Sequence, residues 1–275
     1  MVIKKSEILK NSPILMAQIT DSHLFSSPQG LHCGHNVLEN LRTVLISINN
    51  NPQIDFIVFT GDLTQDHTEQ SYQNFVDCVH ECGITSPFYY LAGNHDEPEL
   101  LNQHFSASPF KSDKEITLQQ WQIQLVDSKS DTPAGYVSKQ ALIKLKSAIK
   151  QSKHQLLMMH HHPIDVGYFI DKHGLQNKAE FWQTINAFNN IKAIACGHVH
   201  GAMELTLPLS NVSNNLSTDK TKAKYPVTLY TCPATSIQFD PTVNGVGALD
   251  TGPGYRTFTL YEDGSLDSDV VYIDK

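Results

Sequence analysis

Five apolar runs in the first 200 residues each stop abruptly on residues of metal-binding type. ILMAQIT (14–20) gives way to Asp21 and His23, and FIVFT (56–60) to Gly61 and Asp62, with Asp66 further on. FYYLA (88–92) gives way to Gly93-Asn94-His95-Asp96, and QLLMM (155–159) to His160-His161-His162. IKAIAC (191–196) gives way to Gly197-His198-Val199-His200. Short apolar runs bounded by turn residues read as buried strands. Helix-like segments fall between them, at about 36–48, 69–82, just after Pro98, 138–150 with Ser138 as N-cap, and 178–188. WQIQLVDS (121–128) is a further strand. This alternation predicts an α/β fold with buried central strands. In such sheets, sites assemble just past the carboxyl ends of the strands, so these strand ends are expected to share one rim.

After Gly201 the rhythm changes. AMELTLPL, YPVTLYT, TSIQFD, YRTFTLY and SDVVYI read as successive strands with no helix between them. Between the first two, Ser210 to Lys224 is polar and without hydrophobic period, and reads as a hairpin loop. No internal repeat and no inter-domain linker stands out, so residues 1–275 are expected to form a single domain.

Histidine is the commonest metal ligand, and the chain has 14 of them, so their positions decide what they mean. The net charge of -8 argues against a nucleic-acid-binding surface. The 5 cysteines include no C-x-x-C pair and read as buried free thiols of a reducing compartment. No apolar run approaches the ~20 residues of a membrane span. The N-terminal stretch shows no signal-peptide cleavage pattern, which points to a cytoplasmic protein.

A transition metal takes nitrogen and oxygen ligands at about 2 Å, roughly four from the protein. The rim offers more than one ion needs, which suits two metals bridged by a carboxylate and a hydroxide. Such a pair lowers the pKa of the bridging water and favours in-line attack on phosphorus. Gly61, Gly93 and Gly197 would let the backbone turn sharply beside the ions.

The ordered set Asp21-x-His23, Gly61-Asp62, Gly93-Asn94-His95-Asp96, His160 and Gly197-His198-x-His200 resembles the calcineurin-like metallophosphoesterase superfamily. The resemblance implies a four-layer αββα sandwich of two mixed β-sheets flanked by helices, with the strand-rich tail in the second sheet. It implies that Asp21, His23, Asp62 and His200 hold one metal, and Asp62, Asn94, His160 and His198 the other. His95 would act as general acid at the leaving group, with Asp96 orienting it or else capping the helix that follows. His23, Asp62, Asn94, His95, His160 and His200 would contact substrate. Of the three consecutive histidines the family pattern selects His160, with His161 as the alternative. Imidazole and carboxylate ligands leave Fe, Mn, Zn and Co all open.

Flanking text narrows the resemblance. QITDSHLF, FTGDLTQD, LAGNHD, MMHHHPIDVG, DKHGLQN, CGHVH and GPGYR are similar to bacterial class III 3',5'-cyclic-nucleotide phosphodiesterases. The implied reaction is hydrolysis of cyclic AMP to 5'-AMP by a metal-bridging hydroxide. Alternatives are a metallophosphodiesterase for another diester, such as a glycerophosphodiester, or a non-catalytic scaffold of the same fold. Phe25 or Tyr168 could stack on a base, His173 could line the entrance, and Arg256 could serve substrate, structure or merely the surface.

Overall fold

The computed structural model of the chain describes residues 12–207 and 225–274. The polar stretch Ser210 to Lys224 lies outside the described residues. Strands are numbered along the chain. One sheet holds β1 (Ile14–Ile19), β4 (Phe56–Phe59), β5 (Phe88–Tyr90), β6 (Phe110–Lys111), β13 (Gly254–Leu260) and β14 (Leu266–Tyr272), in the order β14-β13-β1-β4-β5-β6. The other holds β7 (Glu115–Thr117), β8 (Trp121–Val126), β9 (His154–Met159), β10 (Ile191–Cys196), β11 (Met203–Thr206) and β12 (Thr228–Thr231), in the order β11-β12-β10-β9-β8-β7. Both sheets are mixed: β1, β4, β5 and β6 run parallel, as do β8, β9, β10 and β12, with antiparallel strands at the margins. Two short strands, β2 (Leu31–His32) and β3 (His35–Asn36), form a separate hairpin.

Side chains alternate across a strand, so each sheet has two apolar faces to bury. In the first sheet Ala17, Ile19, Ile57 and Phe59 face α1 (Val37–Asn49), α2 (Glu69–Glu81) and α3 (Pro98–His104). Their neighbours Met16, Phe56 and Val58 face the second sheet, meeting Ile123, Leu125, Leu156, Met158, Ala193 and Ala195. On the far side Val126, Leu157, Met159, Ile194 and Cys196 pack on α4 (Lys139–Ala148) and α5 (Lys178–Ile185). The result is the expected αββα sandwich. Helix starts follow local chemistry, since the side chains of Asn36, Thr68 and Ser138 each accept a backbone N–H of the first turn.

The tail departs from expectation in three ways. Only β11 and β12 join the second sheet, whereas β13 and β14 extend the first, with β13 pairing β1. TSIQFD is not a strand: its backbone serves other partners, with Thr235 and Ser236 donating to the carbonyls of Thr20 and Asp21, and Phe239 to that of His200. Arg256 is neither a surface residue nor near the site. It is buried between the sheets, donating to Thr231 O (3.0 Å), Met203 O (3.1 Å) and Ser268 Oγ (2.8 Å). Of the free cysteines, Cys33 is exposed and the other four are buried. Among the described residues no helix is long and apolar enough to cross a membrane.

Candidate metal centre

Because the central strands run parallel within each sheet, their carboxyl ends emerge together, and the two sheets bring both sets to one rim. Asp21 follows β1, Asp62 follows β4, Asn94 follows β5, His160 follows β9, and His198 and His200 follow β10. The His198 N–H donates to Asp21 Oδ2 at 2.9 Å, joining the rims of the two sheets.

The donor atoms gather in two sets around Asp62. On one side His23 Nε2 lies 3.0 Å from His200 Nε2, 3.8 Å from Asp21 Oδ1 and 3.7 Å from Asp62 Oδ2, and His200 Nε2 lies 3.3 Å from Asp21 Oδ1. On the other, His160 Nε2 lies 3.3 Å from Asp62 Oδ2, 3.1 Å from Asn94 Oδ1 and 3.1 Å from His198 Nδ1. Ligands about 2.1 Å from a common ion, at tetrahedral to octahedral angles, stand about 3.0–3.4 Å apart, which is the spacing of most of these pairs. Asp21 Oδ1, which belongs to the first set, is buried without a hydrogen-bond partner, a costly state for a polar atom unless something else meets it. The donor set therefore fits metal ions. The backbone supports it: His160 Nδ1 is 2.8 Å from Thr60 O and His200 Nδ1 is 2.9 Å from Ile237 O, so each donates there and leaves its Nε2 as the free lone pair.

Five of these residues have left-handed backbones: Asp21 (φ 55), His23 (φ 46), Asp62 (φ 59), His198 (φ 65) and His200 (φ 50). That region costs a side-chain-bearing residue roughly 1–2 kcal/mol, and such strain collects at functional sites.

Electrostatics sorts the groups. Burial opposes charge on Asp21 and Asp62, yet His200 beside the first and His160 beside the second hold both well below the usual carboxylate range. Burial likewise disfavours charge on His160, but the Asp62 carboxylate outweighs it and raises the imidazole to about 9. Burial, with His161 and His160 alongside, pushes His198 well below its ordinary value. Burial also lowers His95, to about 4.

Each sequence-expected residue can now be placed. His161 stands beside His160 and His198, with ring centroids 4.8 and 4.7 Å away and a nitrogen close enough to share an ion with them, but its Nδ1 is also 2.9 Å from Ser128 Oγ and its Nε2 3.2 Å from Pro133 O. His162 pairs with Asp171 at 3.1 Å. Asp96 neither caps α3, where no side-chain cap forms, nor bonds the His95 ring. It is buried and accepts the N–H groups of Asp62, Leu63 and Gly93, each at 2.8 Å, so it organises the loops that carry the candidate ligands. Asp66 accepts from Ser26 and Thr68 and lies outside the donor sets.

A cavity of about 310 Å³ opens over the cluster, lined by His23, Asp62, Asn94, His95, His198 and His200. Pro133, Phe169, Ile170, Phe239 and Val246 supply an apolar side, and Lys172 and His173 stand on its wall. Phe25 packs against the first sheet's helices, and Tyr168 OH donates to Val199 O, so neither is the stacking ring expected. Sequence reasoning missed Phe239, whose ring stacks on His200 at 3.8 Å and 1°. It also missed Lys129, whose Nζ donates to Asn94 O at 3.3 Å. The apolar alternation of TSIQFD was the only sign of the first, and nothing local marks the second.

Two mixed sheets between helices, with a rim of imidazoles and carboxylates, are the frame of a phosphoesterase, and a family model described as calcineurin-like phosphoesterase matches residues 14–202. The chain belongs to that family. It is 70% identical over 263 residues, 96% of each chain, to a probable cyclic nucleotide phosphodiesterase of Colwellia psychrerythraea. It is 33% identical to the 3',5'-cyclic adenosine monophosphate phosphodiesterase CpdA of Escherichia coli K12, over 94% of this chain and 89% of that one. A dimetal phosphatase from Danio rerio shares the fold at a TM-score of 0.63 and 13% identity, covering 92% of this chain and 94% of that one.

Proposed function

We propose that this chain is a phosphodiesterase that hydrolyses 3',5'-cyclic AMP to 5'-AMP. Two transition metals would be held by Asp21, His23, Asp62 and His200, and by Asp62, Asn94, His160 and His198. The observation that carries the dinuclear reading is the place of Asp62 Oδ2, between His23 Nε2 at 3.7 Å and His160 Nε2 at 3.3 Å. Relatives named for cyclic nucleotides support the substrate. Bound metal ions supply positive charge to the phosphoryl oxygens and lower the pKa of water.

The chain's own residues do the rest. The carbonyls of Thr60 and Ile237 fix the tautomers of His160 and His200. The cavity is of mononucleotide size, and its apolar side, with Phe169 and Val246, suits a purine. Lys172 adds a cation at the same wall. Water loses a proton to solvent as its oxygen bonds to phosphorus, the P–O3' bond breaks with its electron pair on O3', and His95 gives that oxygen a proton and regains one from solvent. Burial keeps the proton off His95 in the free chain, and an anionic diester bound beside it pulls the other way. Free cysteines fit a reducing cytoplasm.

The test is cyclic AMP hydrolysis by metal-reconstituted protein, beside Asn94→Ala, a glycerophosphodiester and bis(p-nitrophenyl) phosphate. The expected result is 5'-AMP, with Asn94→Ala slower by more than about 100-fold, beyond the range of residues that merely support a ligand. Turnover of the p-nitrophenyl diester without any of cyclic AMP would overturn the substrate and keep the metal centre.

A further inference from the structure

His67 stands outside both donor sets, exposed, in the turn between β4 and α2. Its backbone is left-handed (φ 57), a conformation uncommon for residues other than glycine. The turn holds it there, with the His67 N–H donating to Thr64 Oγ1 at 2.9 Å. Although exposed, the side chain lies against a neighbour. Its Nδ1 donates to the His95 carbonyl at 3.0 Å, and its ring lies parallel to that of His95, with centroids 5.4 Å apart and planes at 3°.

His95 needs such a partner. Its own N–H donates to Asp62 Oδ1 at 2.9 Å, so with His67 on the carbonyl its peptide is gripped on both sides. Its ring is not held by a hydrogen bond at Nδ1, which is buried without a partner, and Asp96 is committed to backbone N–H groups. What fixes the ring is the parallel face of His67 and the edge contact with His23 at 4.9 Å and 86°. Offset parallel rings at such separations attract and define a plane.

We propose that His67 is a positioning residue for His95, aligning the imidazole with the leaving oxygen through the ring stack and the bond to the His95 carbonyl. This rests on the reading of His95 as the proton donor. A misaligned acid slows reactions that need proton donation and spares those that do not, because general-acid catalysis acts on the leaving group.

The experiment compares kcat and KM on cyclic AMP with those on methyl p-nitrophenyl phosphate, whose p-nitrophenolate departs without protonation. The proteins are the metal-loaded wild type, His67→Ala, His67→Asn, His95→Ala and the double variant His67→Ala/His95→Ala. His67→Ala is expected to lower kcat on cyclic AMP about tenfold, a fraction of a general acid's usual share, with KM unchanged and the p-nitrophenyl rate held within about twofold. His67→Asn tolerates positive φ and can restore an N–H to the His95 carbonyl, so it should recover much of the loss. The double variant should be no slower than His95→Ala. Equal losses on both substrates, or a further loss in the double variant, would overturn the proposal in favour of a structural role. A slow His95→Ala beside a fully active His67→Ala would remove His67 alone, whereas undiminished cyclic AMP turnover by His95→Ala would remove the proton-donor reading itself.

Discussion

Gly93 and Asp62 approach so closely that no methyl group fits between them. A Cβ on Gly93 would lie 2.1 Å from Asp62 Oδ1 and 2.4 Å from Asp62 N, and one on Gly61 would meet Gly93 N at 2.3 Å. Gly61 also has φ +97, so it serves conformation as well as space, while Gly93 serves space. Gly93→Ala should displace the shared carboxylate and lower cyclic AMP turnover more than about 100-fold, with metal content falling in step. Elemental analysis beside kinetics checks both. Asp96→Asn leaves one acceptor oxygen where two carboxylate oxygens receive three N–H groups. It is expected to cost about 1–3 kcal/mol of stability, the range for an unsatisfied buried donor, read as a shift in urea midpoint. The types and places of the seven candidate ligands were legible in the sequence, because each follows one of five strands within a few residues. The work of Asp96 was not, because its partners at positions 62 and 63 come together with it only through folding.

At the scale of elements, alternation identified the strands but not always their use. TSIQFD alternates like a strand, yet its polar backbone is spent on Thr20, Asp21 and His200, and Ile237 O receives His200 Nδ1. A segment whose N–H groups serve the site has fewer left for a ladder. Likewise nothing in the tail's pattern told which sheet would take β13, since either offers an edge. Arg256 shows what that placement requires. From β13 it reaches carbonyls in β11 and β12 and the Ser268 hydroxyl in β14. Arg256→Ala should therefore cost about 3–5 kcal/mol by orphaning buried acceptors, with the remaining activity per folded molecule unchanged, measured by denaturation and by active-site titration. The segment after β9 is tied by Asp171, whose carboxylate takes the N–H groups of Val166 and Gly167 and pairs with His162. Burial would raise Asp171, but these bonds, His162 first, lower it from 3.8 to about 2. A depressed carboxylate stabilises the fold above its unfolded pKa and loses that contribution as pH falls through the folded one. Asp171→Asn should thus make stability less dependent on pH between about 4 and about 2, seen in acid-unfolding curves followed by tryptophan fluorescence.

The rim is a locally unfavourable part of the molecule. Facing imidazoles, two buried carboxylates and five left-handed residues are poor neighbours unless cations bind among them. Metal that binds only the folded chain adds stability by mass action, about 4 kcal/mol at a thousandfold excess over Kd. Chelation should lower Tm by roughly 5–15 °C for a chain of this size, and Asn94→Ala should blunt that response in differential scanning fluorimetry. The two sheets meet at this rim through pairs far apart along the chain: His23 with His200, and Asp21 with His198, are each separated by 177 residues. Closing so long a loop is slow, because its entropy must be lost before the contact forms. The pocket is therefore expected to form late in folding, which recovery of metal binding measured beside recovery of tryptophan fluorescence would check. Regained turnover reports the finished topology of both sheets, and a chain interrupted before residue 198 can carry four of the five strand ends in proper order and still have nothing to close the centre.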